Sequence, residues 1–129
     1  MSEAKPYMQE GYELMGAAFE VHNEQGGGLA EEIYQQSLEV ELELRGIAFD
    51  SKRELKVFYK GRELEKKYVP DLFVFEGIIA ELKSVWELLP EHKAQLMNYM
   101  RLTSTEVGYL INFGPIGKLE YKRIIITEF

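Results

Sequence analysis

Three charged residues stand inside the most hydrophobic part of the chain: Asp71 opens one apolar run, and Glu81 and Lys83 close the next. Glu81 and Lys83 are two apart on a predicted strand, so their side chains share a face, roughly 6 to 7 Å apart along it. Whether Asp71 joins them depends on the hairpin between the runs. A two-residue loop at Glu76-Gly77 would pair Asp71 with Leu82 and turn it to the wrong face, whereas a three-residue loop, Phe75-Glu76-Gly77, pairs Asp71 with Glu81. Common three-residue hairpins end in a left-handed residue, usually glycine, and Gly77 occupies that slot. The expectation is therefore the longer loop, with Asp71 opposite Glu81. Two facing carboxylates repel unless a cation lies between them, and a hard divalent ion such as Mg²⁺ takes such oxygen ligands while keeping several waters. Lys83 beside that ion could hold an attacking water or stabilise charge on a phosphate. The competing reading is a buried salt bridge between Lys83 and one of the carboxylates.

The elements that must position these residues are legible from periodicity. Tyr7, Gly11, Leu14, Ala18 and Val21 recur at helical spacing, so a helix is expected from Tyr7 to about His22, ended by Gln25-Gly26-Gly27-Gly28. A second helix should run from about Leu29 to Leu44, with Gly46 placed to close it. Strand patterns then cover Leu55 to Tyr59 and Arg62 to Tyr68, with Lys60-Gly61 as the turn between them. Leu72 to Phe75 and Ile78 to Ala80 are nearly continuous apolar runs, as expected of strands covered on both faces. Pro90 suits the first turn of a helix over about Glu91 to Leu102, and Val107 to Phe113 and Tyr121 to Thr127 follow as strands. The order α-α-β-β-β-β-α-β-β, with no linker or repeat, implies one domain over residues 1–129, in which helices flank a mixed sheet.

Composition sets the outer bounds. The chain has 129 residues, 46% apolar and 29% charged, an ordinary globular balance. It has no cysteine, which excludes a disulfide scaffold, a thiolate metal site and a cysteine nucleophile. No apolar run approaches the roughly 18 residues of a membrane span, and Met1 to Glu10 is polar and acidic, unlike a signal peptide. A cytoplasmic protein is expected. The net charge of −7 counts against tight nonspecific binding of nucleic acid. It is also uneven: residues 1–50 carry two basic side chains against eleven acidic, and residues 51–129 thirteen against eleven. A polyanion would have to approach the second part.

Pro70-Asp71, a nine-residue gap and Glu81-Leu82-Lys83 resemble the signature of the PD-(D/E)XK nuclease superfamily, whose metal-dependent members hydrolyse phosphodiester bonds with that carboxylate pair and lysine. Gly28-Leu29-Ala30-Glu31-Glu32-Ile33-Tyr34 resembles the G-x-x-E-x-x-Y pattern of the GxxExxY protein family, and Gln95-Leu96-Met97-Asn98-Tyr99 the Q-x-x-x-Y motif of RecB-like nucleases. The three occur in the family's order, and the resemblance spans roughly Phe19 to Arg123. It implies a restriction-endonuclease-like α/β core and a nuclease dependent on Mg²⁺ or Mn²⁺. Asp71 and Glu81 would bind the metal, Leu82 would add its backbone carbonyl and Glu31 would complete the acidic cluster. Lys83 would activate water, and Gln95 and Tyr99 would orient the substrate. DNA is the implied substrate, since the resembled families act mainly on DNA.

Helical geometry gives Glu31 independent support. At about 100° per residue it lies within roughly 20° of Leu38 and Leu42, at the edge of the buried arc, where a carboxylate needs a partner. The plainer alternative is a boundary glutamate reaching solvent. Gln95 and Tyr99, four apart, share a helical face with Leu102, so the Gln95 amide should need a partner, while a tyrosine at this spacing is more often core. His22 reads as a cap or packing residue, although some RecB-like nucleases place a metal-binding histidine on a comparable helix. His92, in the first turn of the Pro90 helix, could face the Lys83 end of its strand. Trp86 and Tyr109 read as packing residues rather than base-stacking platforms, since neither lies among clustered basic residues. The rival to the nuclease is a catalytically silent module of the same fold that recruits a basic protein partner through the acidic first helices. In either case a homodimer or another protein could supply the basic surface.

Overall fold

The computed structural model describes residues 5–129; Met1 to Ala4, the start of the polar and acidic segment noted above, lie outside them. Helices α1 (Met8–Gln25) and α2 (Glu31–Leu44) come first, followed by strands β1 (Phe49–Ser51), β2 (Phe58–Tyr59), β3 (Arg62–Glu63), β4 (Leu72–Val74) and β5 (Ile78–Lys83). Helix α3 (Pro90–Leu102) crosses over to β6 (Val107–Asn112), and β7 (Glu120–Ile125) ends the fold. The main sheet has five strands in the order β1-β4-β5-β6-β7, and only the β5–β6 pair, joined through α3, is parallel.

Apolar residues on both faces of the central strands make this a three-layer structure. Leu72, Val74, Ile78, Ala80, Leu82, Val107 and Ile111 turn to α1 and α2, where they pack with Leu14, Ala18, Tyr34, Leu38 and Leu42. Phe73, Ile79, Leu110 and Ile124 turn the other way and pack with Leu96 and Met100 of α3. Alternation along β5 therefore sends Glu81 and Lys83 to the α3 side with Ile79.

Two features differ from the pattern reading. The edge strand beside β4 is the three-residue β1, and the expected strands over 55–59 and 62–68 contract to the separate hairpin β2–β3 plus one bridge, Leu55 to Tyr68. Five strands thus precede α3 where four were expected. The Lys60-Gly61 turn is present, with φ of 49° and 76°, as a primed hairpin turn requires.

The β4–β5 hairpin has the longer loop. Val74 pairs with Ile78 and Leu72 with Ala80, a register that puts Asp71 opposite Glu81. The left-handed positions are Phe75 (φ 55°) and Glu76 (φ 57°), not Gly77. Glycine is needed at 77 for a different reason: a Cβ there would run into the Tyr7 ring.

Candidate active site

The sheet opens where β4 begins, and the opening shapes the site. Asp71 lies just outside the ladder, and its N–H donates to the Glu81 carboxylate at 2.8 Å. The N–H of Leu82 donates in turn to Asp71 Oδ2 at 2.7 Å. Each carboxylate thus satisfies a backbone donor on the other strand, which locks the two acids side by side. Burial first, and the neighbouring Asp71 charge second, push the Glu81 carboxyl up to about 7, against the opposing effects of that N–H, Tyr68 and Lys83.

Helix α2 brings the next layer. The carbonyl of Gly26 accepts from the Tyr34 hydroxyl, which accepts from the Leu29 N–H at 3.0 Å, while the Tyr34 ring stacks on Phe113 at 4.6 Å. This closed loop delivers Glu31 as the first residue of α2. Glu31 is half-buried, and its carboxyl is raised by burial and then by Asp71, while Lys83 and Lys52 oppose the rise. One turn on, the buried Gln35 donates from Nε2 to the Asp71 carbonyl at 2.8 Å and to Glu39 at 2.7 Å. Glu31, Gln35 and Glu39 line a cleft of about 350 Å³ with Ser51, Lys52 and Asp71.

Two cations flank the acids. Lys52 holds Asp71 Oδ1 at 2.8 Å from a left-handed backbone position, φ 57°. Lys83 is half-buried on the site face and makes no ion pair or side-chain hydrogen bond among the described residues, so the Lys83 salt bridge is not what balances the carboxylates. Tyr68 is buried against Glu81, and its ring stacks on Tyr99 at 4.1 Å. Burial and the two carboxylates raise its hydroxyl well above the usual range. That hydroxyl lies near Glu81 without hydrogen-bond geometry and is the one buried side-chain polar atom left unpartnered among the described residues.

The donor set is oxygen only, with two crowded carboxylates, a third close by and the Leu82 carbonyl on the same strand, which suits a hard divalent cation. Among the described residues no three acidic or histidine side chains gather into a complete cage. Cations of the Mg²⁺ class usually take one or two carboxylates and keep waters and phosphate oxygens for the rest, so the pair fits that mode.

The remaining sequence candidates make no direct contact with the two acids among the described residues. Tyr99 reaches the site through Tyr68, and Gln95 is exposed on α3 with no side-chain hydrogen bond among the described residues, so the argument that burial forces a partner on it does not hold. His22 is buried and bonds the Pro115 carbonyl at 2.9 Å, a packing role. His92 does not face Lys83; its Nδ1 accepts from the Leu89 N–H at 2.9 Å and caps α3. Tyr109 is buried as expected, but Trp86 is 90% exposed and packs against nothing that covers it. The pattern reading missed Lys52, Gln35 and Tyr68. Gln35 was findable, being one helical turn from Glu31 on the same face, whereas nothing in the sequence marks Lys52 or Tyr68.

The model of the PD-(D/E)XK nuclease superfamily matches residues 8–124. The chain belongs to the PD-(D/E)XK nuclease superfamily. Its mixed sheet with helices on both faces is the restriction-endonuclease-like α/β architecture of that superfamily. A solved structure, described as the crystal structure of SSO0001, is 25% identical with a TM-score of 0.56. The match covers 73% of this chain and 48% of that one, so the chain spans about half the length of that protein. No curated protein matches the sequence. Among the described residues, no helix of this superfamily member is long and apolar enough to cross a membrane.

Proposed function

We propose that this chain is a nuclease of the GxxExxY type that hydrolyses phosphodiester bonds of DNA with Mg²⁺ or Mn²⁺ held by Asp71 and Glu81. The observation that carries the reading is the reciprocal lock of the two carboxylates, each on the other strand's N–H, with Lys83 on the same face. The Leu82 carbonyl supplies a further oxygen to the cation, and Glu31 holds its water. When bound, the cation stabilises charge on the phosphate and lowers the pKa of an attacking water. Lys83, with no ion pair among the described residues, donates to that water or to a non-bridging phosphate oxygen. Gln95, exposed and unengaged, and Tyr99, beside Tyr68, orient the substrate backbone. A second copy of the chain or a basic protein offsets the acidic first helices.

The test is cleavage of linear end-labelled and circular DNA, single- and double-stranded, at low salt with Mg²⁺ or Mn²⁺. Asp71→Ala and Glu81→Ala should each lose more than about 100-fold, because residues that merely orient a metal ligand already cost 10- to 100-fold. Equal inactivity of wild type and both variants, with no metal bound in calorimetry, overturns the reading in favour of the silent binding module.

A further inference from the structure

We infer that Trp86 is a rigidly mounted stacking platform for an unpaired base of a nucleic-acid strand lying across the site; the choice of nucleic acid rests on the nuclease reading. Trp86 is 90% exposed, and Ile116 on the neighbouring loop is 87% exposed. Exposure of this kind usually goes with a mobile loop, and here it does not. Asn112, fully buried, accepts from the N–H groups of Val85 and Gly114, both at 3.0 Å, and donates to the Val85 carbonyl at 3.1 Å. Glu120 fixes the other side of Trp86 by accepting from the Leu88 N–H at 2.9 Å. A Cβ on Gly114 would run into the Val85 backbone, so the two loops are in close contact. The backbone that carries this large apolar ring into water is therefore held by a framework of part-buried hydrogen bonds.

Its position gives that ring a use. The loop starts at Ser84, directly after Lys83, and the Ser84 hydroxyl donates to the carbonyl of Leu29, two residues before Glu31. Trp86 thus projects at the carboxyl ends of the parallel strands β5 and β6, the end at which open α/β sheets bind ligands. A cleft of about 440 Å³ beside it has Trp86, Pro115 and Tyr121 as apolar walls, with Lys118, Glu87 and Glu120 as its charged residues, Glu120 being already engaged by Leu88 and Asn112. The walls accept the face of a base, Lys118 its phosphate, and Glu87 an exocyclic amine. Trp86 follows Lys83 by three residues, so a strand stacked on it runs past the end of β5 that carries Glu81 and Lys83. Bases inside a duplex do not present their faces, so the preferred ligand is single-stranded or frayed.

Trp86 is the only tryptophan in the chain, so emission excited to the red of tyrosine absorption reads this position alone. The experiment titrates the full-length chain, in EDTA to prevent turnover, with a short oligodeoxycytidine, whose bases carry an exocyclic amine, and with a blunt duplex. Tryptophan emission and the anisotropy of labelled oligonucleotide are followed together. The expected result is saturable quenching by the single strand with a weaker response to duplex. Trp86→Ala should weaken binding about 5- to 150-fold, and Trp86→Phe should keep most of it. The inference is overturned by binding without a change in emission, by an equal response to blunt duplex, by unchanged affinity in Trp86→Ala, or by no oligonucleotide binding at all. The two readings fail separately: cleavage by wild type with silent emission removes only the stacking platform, and quenching without metal-dependent cleavage removes only the nuclease.

Discussion

Replacing Glu81 by glutamine should make the metal-free protein more stable, and by an amount that depends on pH. Burial and Asp71 lift the Glu81 carboxyl from 4.5 to about 7 in the folded chain. At about 1.4 kcal/mol for each tenfold change in proton affinity, ionising it in place costs the fold about 3 kcal/mol. A raised acid favours the folded state while it is protonated in both states, so this contribution is fully present below about pH 4.5. It is lost as pH rises through about 7, where the folded protein must ionise a buried group that the unfolded chain ionises freely. Glutamine keeps the Oε1 acceptor for the Asp71 N–H and carries no charge. In EDTA, Glu81→Gln should therefore match wild type near pH 4 and exceed it by about 3 kcal/mol near pH 8, or roughly 10 °C in melting temperature. Urea denaturation followed by far-ultraviolet circular dichroism across that range measures the difference. Saturating Mg²⁺ should then stabilise wild type, by about 2.7 kcal/mol at a hundred times its Kd, and the variant much less. A variant no more stable than wild type near pH 8, or a gain that does not vary with pH, would refute the claim that Glu81 is held ionised at a cost.

Lys52→Met removes the cation that now occupies Asp71. Because Lys52 is mostly exposed and such pairs are worth about 0.2–1 kcal/mol, calorimetry should show Mn²⁺ binding about 1.5- to 5-fold tighter at low salt, with the difference shrinking at high salt; weaker binding would mean that Lys52 assists the metal. Tyr68→Phe deletes the unpartnered buried hydroxyl and should stabilise the protein by about 1 kcal/mol in urea denaturation. Destabilisation would show that the hydroxyl bonds Glu81 in solution. Asn112→Ala strips partners from Val85 and Gly114 and should destabilise by about 2–4 kcal/mol; a loss under about 1 kcal/mol would mean that the loop carrying Trp86 is not held as described.

What the sequence conveyed well was what depends on alternation and on loop arithmetic. Continuous apolar runs at Leu72–Val74 and Ile78–Ala80 became strands buried on both faces, and one extra loop residue was enough to put Asp71 opposite Glu81. Helix ends followed Gly and Pro signals to within a few residues. The edge strand β1 was hidden because Phe49–Ser51 is three residues long and owes its extended form to pairing with β4, more than twenty positions away. Lys52 was hidden for the same reason, since its reach to Asp71 follows from that pairing and from a left-handed backbone that lysine does not advertise. Gln95 and His92 were misread through burial: α3 turns Leu96 and Met100 inward, which leaves Gln95 in solvent, and His92 is spent on the helix cap. Trp86 was read as a packing residue because no basic residues cluster around it in the sequence, whereas the structure leaves it 90% exposed on a backbone that Asn112 holds in place.

The site itself follows from a problem of backbone bookkeeping. Where β4 parts from β5, the N–H groups of Asp71 and Leu82 lose the ladder partners that a continued sheet would have supplied. Two carboxylates take their place, and this fixes both side chains before any ligand arrives. The same exchange concentrates negative charge in a half-buried position, which Lys52 offsets in part and which Glu81 registers as an elevated carboxyl. A fold that needed only to satisfy two amides could have used serine or asparagine there at lower cost. Acids at both positions, together with a Lys83 that has no ion pair among the described residues, are what the proposed divalent cation and phosphate would balance.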